Sequence, residues 1–115
     1  MRNVIVFGWD HSLPGREPLS AKHFQEFVEF LQAQQKQGAV ESFDPVFLEP
    51  HGGSFNGFFY IKGEPAKLAA LVASPEWMQH QIRATLHLKG VAVHRGLTGP
   101  AVGEFMGMWT NAIPR

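Results

Sequence analysis

The sequence predicts an α+β domain ordered β-α-β-β-α-β, with a four-stranded antiparallel sheet and two helices across one face. Three observations carry that prediction. Two short runs, Val4-Ile5-Val6-Phe7 and Phe58-Phe59-Tyr60-Ile61, are β-prone and apolar without alternation. Between them, Phe24, Phe27, Val28 and Leu31 recur at i, i+3, i+4, i+7, the stripe of an amphipathic helix. A chain of 115 residues supports one hydrophobic core, so residues 1–115 are read as a single domain.

The elements follow in order. The first strand spans about residues 3–10, and two prolines and a glycine make 10–18 a loop. Ser20 has the features of an N-cap, with Leu19 and Phe24 placed for a hydrophobic staple, and Gly38 is a natural stop for the helix. The second strand covers 42–49, where Pro45 predicts an edge position or a bulge. His51-Gly52-Gly53 opens a flexible connection into the third strand. A second helix starts at Pro65, is broken at Ser74-Pro75-Glu76 and restarts, and runs to Gly90. Val91 to His94 is the fourth strand. The Gly-rich tail from 96 to 115 still carries Phe105, Met106, Met108 and Trp109.

Composition excludes several classes of function. There is no cysteine, which removes disulfides, thiol nucleophiles and thiolate metal sites. Ten basic and ten acidic side chains balance, so neither nucleic acid nor an anionic membrane is an expected partner. The apolar run before Asp10 is too short for a signal peptide or a span, and a cytoplasmic protein is the expectation. Ten Phe, three Trp and six His are the unusual features.

Two helices cover only one face of such a sheet, and a face left to water should alternate polar with apolar. Here Val4/Val6 and Ile5/Phe7 lie on opposite faces, as do Phe58/Tyr60 and Phe59/Ile61, so neither face alternates and something must cover the second. A second copy of the chain is the simplest cover, which predicts an isologous homodimer with the tail as an arm. A ligand or the chain's own tail is the other cover.

Strand order, helix placement and doubly apolar strands together resemble the dimeric α/β-barrel superfamily, whose unit is a ferredoxin-like domain. Asn56-Gly57-Phe58-Phe59-Tyr60-Ile61, followed by the helix over 64–74, is similar to a Gly-aromatic strand of YCII-related proteins. His23 lies where many of these carry a histidine. Antibiotic-monooxygenase-like proteins share the same outline. The sequence departs from the YCII pattern at Ser74-Pro75, where Asp-Pro is usual, and a DGPF motif is missing. A His-Asp pair is therefore not implied. The resemblance implies pairing of two domains into a barrel, and fold alone does not bring chemistry with it.

The candidate residues are read from their spacing. His23 falls at the edge of the helix stripe, where burial would tune it as acid or base; the plain alternative is a half-exposed ring. Trp9 and His11 share one strand face, so the indole would stack on a ligand and the imidazole would move a proton. Otherwise Trp9 is core and His11 solvated. Glu49 and His51 point the same way, yet Pro50 and two glycines make an ordinary loop of them. Trp77, Ala84 and Leu88 cluster on the late helix, and Met78, Ile82 and Leu86 extend the apolar arc. Gln81 and Thr85 lie inside that arc and need partners or a pocket. His80 and His87, about 10 Å apart along a helix, are too distant to share a metal and read as solvated or at a subunit contact. No protein-bound metal and no cofactor is predicted, and the spacing assembles no nucleophile-base-orienter set.

RNA-recognition motifs share the element order, and Phe58 and Tyr60 would lie on one face as base-stacking residues do. Asn56, Phe59 and Gly63 depart from that motif, and the charge balance opposes phosphate binding. The reading adopted is an apolar, aromatic-lined cavity for a small hydrophobic or aromatic compound. Trp9, Tyr60 and Trp77 would hold the compound with His51 nearby, Gln81 would orient it, and His23 or His11 would serve proton transfer or cofactorless oxidation. The rival is a non-catalytic barrel whose cavity is filled by side chains.

Overall fold

The computed structural model describes residues 1–114. Strand β1 (Val4–Trp9) is followed by a short β2 (His11–Ser12), helix α1 (Glu17–Lys36), β3 (Ser42–Phe47) and β4 (Gly57–Lys62). Helices α2 (Pro65–Val72) and α3 (Pro75–Thr85), strands β5 (Leu88–Lys89) and β6 (Ala92–Gly96), and helix α4 (Pro100–Asn111) complete the chain. The main sheet is antiparallel with order β3-β4-β1-β6, and β2 pairs with β5 in a separate two-stranded ribbon. Pro45 sits in edge strand β3, where its missing N–H removes no ladder bond that the fold needs.

Register divides the sheet residues cleanly. Ile5, Phe7 and Trp9 of β1 stand with Phe59 and Ile61 of β4 on the helix side, where Phe27 and Leu31 of α1 and Trp77 of α3 pack against them. Trp77, Ile5, Leu31 and Ile61 have no exposed surface. The other face carries Val4, Val6, Phe58 and Tyr60, so both faces of these strands are apolar. The chain covers one end of it: Phe55 stacks on Phe58 with centroids 5.2 Å apart and lies over Gly8. A Cβ on Gly8 would come within 2.5 Å of the Phe55 ring, so this close approach requires glycine there. Val6 and Tyr60 remain half-buried.

Four expectations need correction. Helix α1 begins at Glu17, not at Ser20, because Pro18 fits a first turn whose N–H groups have no helical partner. Ser20 therefore lies inside the helix and caps nothing. The late helix stops at Thr85 instead of Gly90, and residues 88–89 become β5. Its polarity also differs from the predicted arc: Trp77 and Ala84 are buried, whereas Met78, Ile82 and Leu86 are exposed. The break before it is where the sequence places it, with Ser74 Oγ accepting from the Trp77 N–H at 3.2 Å. Finally, the tail is a helix.

Helix α4 stands away from the domain. Its root is fixed by Asn3, whose side chain donates to the Thr98 carbonyl at 2.9 Å and accepts from the Thr98 N–H at 2.8 Å. Beyond that root, Val102, Phe105, Met106 and Trp109 form a stripe at i, i+3, i+4, i+7 that is 41–55% exposed. The radius of gyration is 15.9 Å, against about 13 Å for a compact domain of this length.

Candidate functional site

A cavity of about 340 Å³ opens between the helix side of the sheet and the first half of α1. Phe7, Trp9 and Phe59 form its floor, Phe24 and Phe27 its helical wall, and Phe47 one rim. The rings interlock: Phe27 meets Phe59 edge-on at 5.0 Å, and Phe24 lies 5.2 Å from Phe59 and 5.3 Å from Phe47. The β2–β5 ribbon closes one end and brings the polar groups, Ser12 from β2 and His87 beside β5, to meet Ser20 and His23 of α1.

His87 is positioned by the way α3 ends. Its N–H donates to the Ala84 carbonyl at 3.2 Å, and its own carbonyl accepts from the Leu13 N–H at 2.8 Å. Arg16 adds a bond to the Leu86 carbonyl. These bonds turn the His87 ring inward, so it is 5% exposed. That corrects the solvated reading of His87, since the helical wheel does not extend past Thr85. His80 is half-buried as well, packed 4.7 Å from Phe30 and 5.2 Å from Phe27.

The polar end is one hydrogen-bonded chain. Ser12 Oγ lies 2.5 Å from Ser20 Oγ, Ser20 Oγ 2.7 Å from His87 Nδ1, and His87 Nε2 2.7 Å from His23 Nδ1. His23 Nε2 then lies 3.0 Å from His80 Nδ1. The His23 and His80 rings are parallel within 8°, with centroids 5.3 Å apart, so they sit side by side with nitrogen facing nitrogen. A neutral imidazole has one N–H and one lone pair, so the chain is satisfied when every donor points the same way.

The histidines are held in that neutral form. Burial lowers the pKa of His23 to about 4, and the Arg83 charge and the neighbouring His87 and His80 add to the effect. His80 and His87 are lowered too, first by burial and then by Arg83. Glu26 pairs with Arg83 at 2.7 Å and partly offsets it at His23 and His80. His23 directs its two nitrogens to different neighbours, so the three rings do not converge on a point. Among the described residues no group of three or more His, Asp or Glu is arranged to hold a metal ion.

Of the residues singled out by spacing, His23 and Trp9 line the cavity. Trp77 is fully buried beneath it, and Gln81 is occupied in accepting the Trp77 indole N–H at 3.0 Å. Tyr60 lies on the opposite sheet face. His11 is exposed with Nδ1 near the Ser12 carbonyl, and His51 is exposed in the loop between β3 and β4. Residue spacing does not mark Ser12, Ser20 or His87 as members of the site. Ser20 carried the signal of a cap, and nothing local marks a serine whose partner is 67 residues away.

No protein-family model matches the chain, and no curated protein matches it. Among solved structures it is similar to a dimeric protein of unknown function and ferredoxin-like fold from Bacteroides fragilis. The match is 13% identical with a TM-score of 0.57, and covers 85% of this chain and 98% of that one. It is also similar to an uncharacterized NIPSNAP-like domain protein from Burkholderia xenovorans, 18% identical at a TM-score of 0.44, over 87% of this chain and 89% of that one. The fold is ferredoxin-like. The finer kinship to YCII-related or monooxygenase proteins gains no support from these matches.

Proposed function

We propose that the protein binds a small, uncharged aromatic compound in the cavity under α1. The observation that carries this reading is the combination of a wall of six aromatic rings with one polar end, Ser12, Ser20, His23 and His87. Ligand sites have this form, mostly apolar with a few convergent polar groups, and about 340 Å³ lies near the small end of their roughly 300–1,000 Å³ range. The open volume favours this reading over a barrel filled by its own side chains. Trp9 would hold the ligand by stacking, and His23 would serve acid–base chemistry through His87 instead of touching the ligand directly. Among the described residues no helix is long and apolar enough to cross a membrane.

The same proposal includes a homodimer. The similar Bacteroides fragilis protein is described as dimeric, and among the described residues two apolar surfaces lack a partner within the chain, the Val6–Tyr60 sheet face and the α4 stripe. A two-fold contact would present the same patch of each copy to the other, so it can cover such a surface in both copies at once.

Calorimetric titration with 2-naphthol tests the binding site. The wild type is expected to bind saturably. Ala21, an exposed helical residue on the cavity wall, offers a plug: Ala21→Trp should abolish binding without unfolding the domain. No heat from the wild type, or equal binding by the plugged variant, would contradict the reading.

A further inference from the structure

We infer that Ser20, His87 and His23 form a nucleophile-base-orienter set that hydrolyses small aryl esters bound in the aromatic cavity; the inference rests on the cavity being a ligand site. A serine hydroxyl becomes a nucleophile when a base lies within hydrogen-bond reach and a third group fixes that base. Both distances here are 2.7 Å, from Ser20 Oγ to His87 Nδ1 and from His87 Nε2 to His23 Nδ1. The His87 ring stands at 82° to His23, held between its two partners and the backbone bond to Leu13. Ser20 and His87 both face the cavity, so a bound ester carbonyl meets the hydroxyl directly.

The reaction balances within these groups and water. With the proton of His87 on Nε2 and donated to His23 Nδ1, the Nδ1 lone pair accepts the Ser20 proton as Oγ attacks the carbonyl carbon. The tetrahedral oxygen carries the negative charge. Ser12 Oγ, 2.5 Å from Ser20 Oγ, is the nearest side-chain donor, and the positive end of the α1 dipole favours charge at its first turn. Collapse breaks the carbonyl–aryloxy bond, and His87 Nδ1 returns the proton to the leaving aryloxide. Water then attacks the acyl-Ser20 ester, loses its proton to His87 and releases the acid, and His87 restores the Ser20 hydroxyl. His23 touches no reacting atom. It is a positioning residue that fixes the His87 tautomer, and His80 fixes His23 in turn.

The aromatic wall selects the aryl ester class, and the small volume limits the acyl group. The test substrate is 2-naphthyl acetate, with 2-naphthol release as the readout and phenylmethanesulfonyl fluoride as a covalent probe read by peptide mass. Saturable turnover and a sulfonyl adduct on Ser20 are expected. Ser20→Ala should lower kcat by at least about 100-fold. His23→Gln can still accept from His87 and should keep a higher kcat than His23→Leu at similar KM, a split that loss of packing would not give. If 2-naphthol binds but Ser20 takes no adduct, or Ser20→Ala hydrolyses the ester as fast as wild type, the inference is overturned and the cavity reading stands. If 2-naphthol does not bind at all, both fall.

Discussion

Ser20 and His87 show how much of this site depends on where two helices end. A serine three residues into α1 would ordinarily point to solvent or bond back to its own helix. Here it faces a buried imidazole, because α3 stops at Thr85 and the His87 carbonyl is then held by the Leu13 N–H, just past β2. Extending the helical wheel to Gly90 made His87 look solvated, and a single helix boundary hid the central residue of the site. His23 was legible, since it lies four residues before Phe27 on a clear stripe. Its burial has a consequence for stability. The ring is neutral in the folded protein down to about pH 4, whereas in the unfolded chain it titrates near 6.5. Above pH 6.5 both states hold it neutral and its full contribution is present. As pH falls from about 6.5 to about 4 the unfolded state binds the proton first, and on the order of 3 kcal/mol is lost. Denaturant midpoints across that range should fall for wild type, and His23→Leu should flatten the dependence. Equal slopes in the two proteins would contradict this assignment.

At the scale of elements, the strands and the broken second helix follow directly from local chemistry. Pro45 marks an edge, Gly38 adopts a positive φ of 84° just past α1, and Ser74 caps α3. The two-residue strands β2 and β5 were not legible, because so short a pairing is specified by the chain ends it joins and not by any pattern in itself. Nor was α4 legible as a helix, as Gly103 and Gly107 weaken its propensity. Its length and exposed stripe fit an arm that packs on a second copy. Phe105→Glu places a charge in the middle of that stripe and should convert a dimer, seen by sedimentation at micromolar concentration, into a folded monomer. A wild-type monomer, or a variant that dimerises equally well, would contradict the arm.

For the whole molecule, the β-α-β-β-α-β order is the level at which sequence and structure agree best. The order follows from hydrophobic patterning, and patterning is nearly all that a ferredoxin-like layer arrangement requires. The site is less legible since it joins residues from β2, α1 and the turn after α3, a convergence that only the three-dimensional closure creates. The three tryptophans happen to sample three regions of the molecule: Trp9 lines the cavity, Trp77 is sealed in the core on Gln81, and Trp109 stands on α4. Their indole N–H signals in a ¹H–¹⁵N spectrum, followed during titration with 2-naphthol, test the cavity claim most directly. Trp9 is expected to shift saturably together with the His87 ring, while Trp109 stays in place and Trp77 moves little. Shifts confined to Trp109, or none at Trp9, would show that the aromatic cavity is not the ligand site.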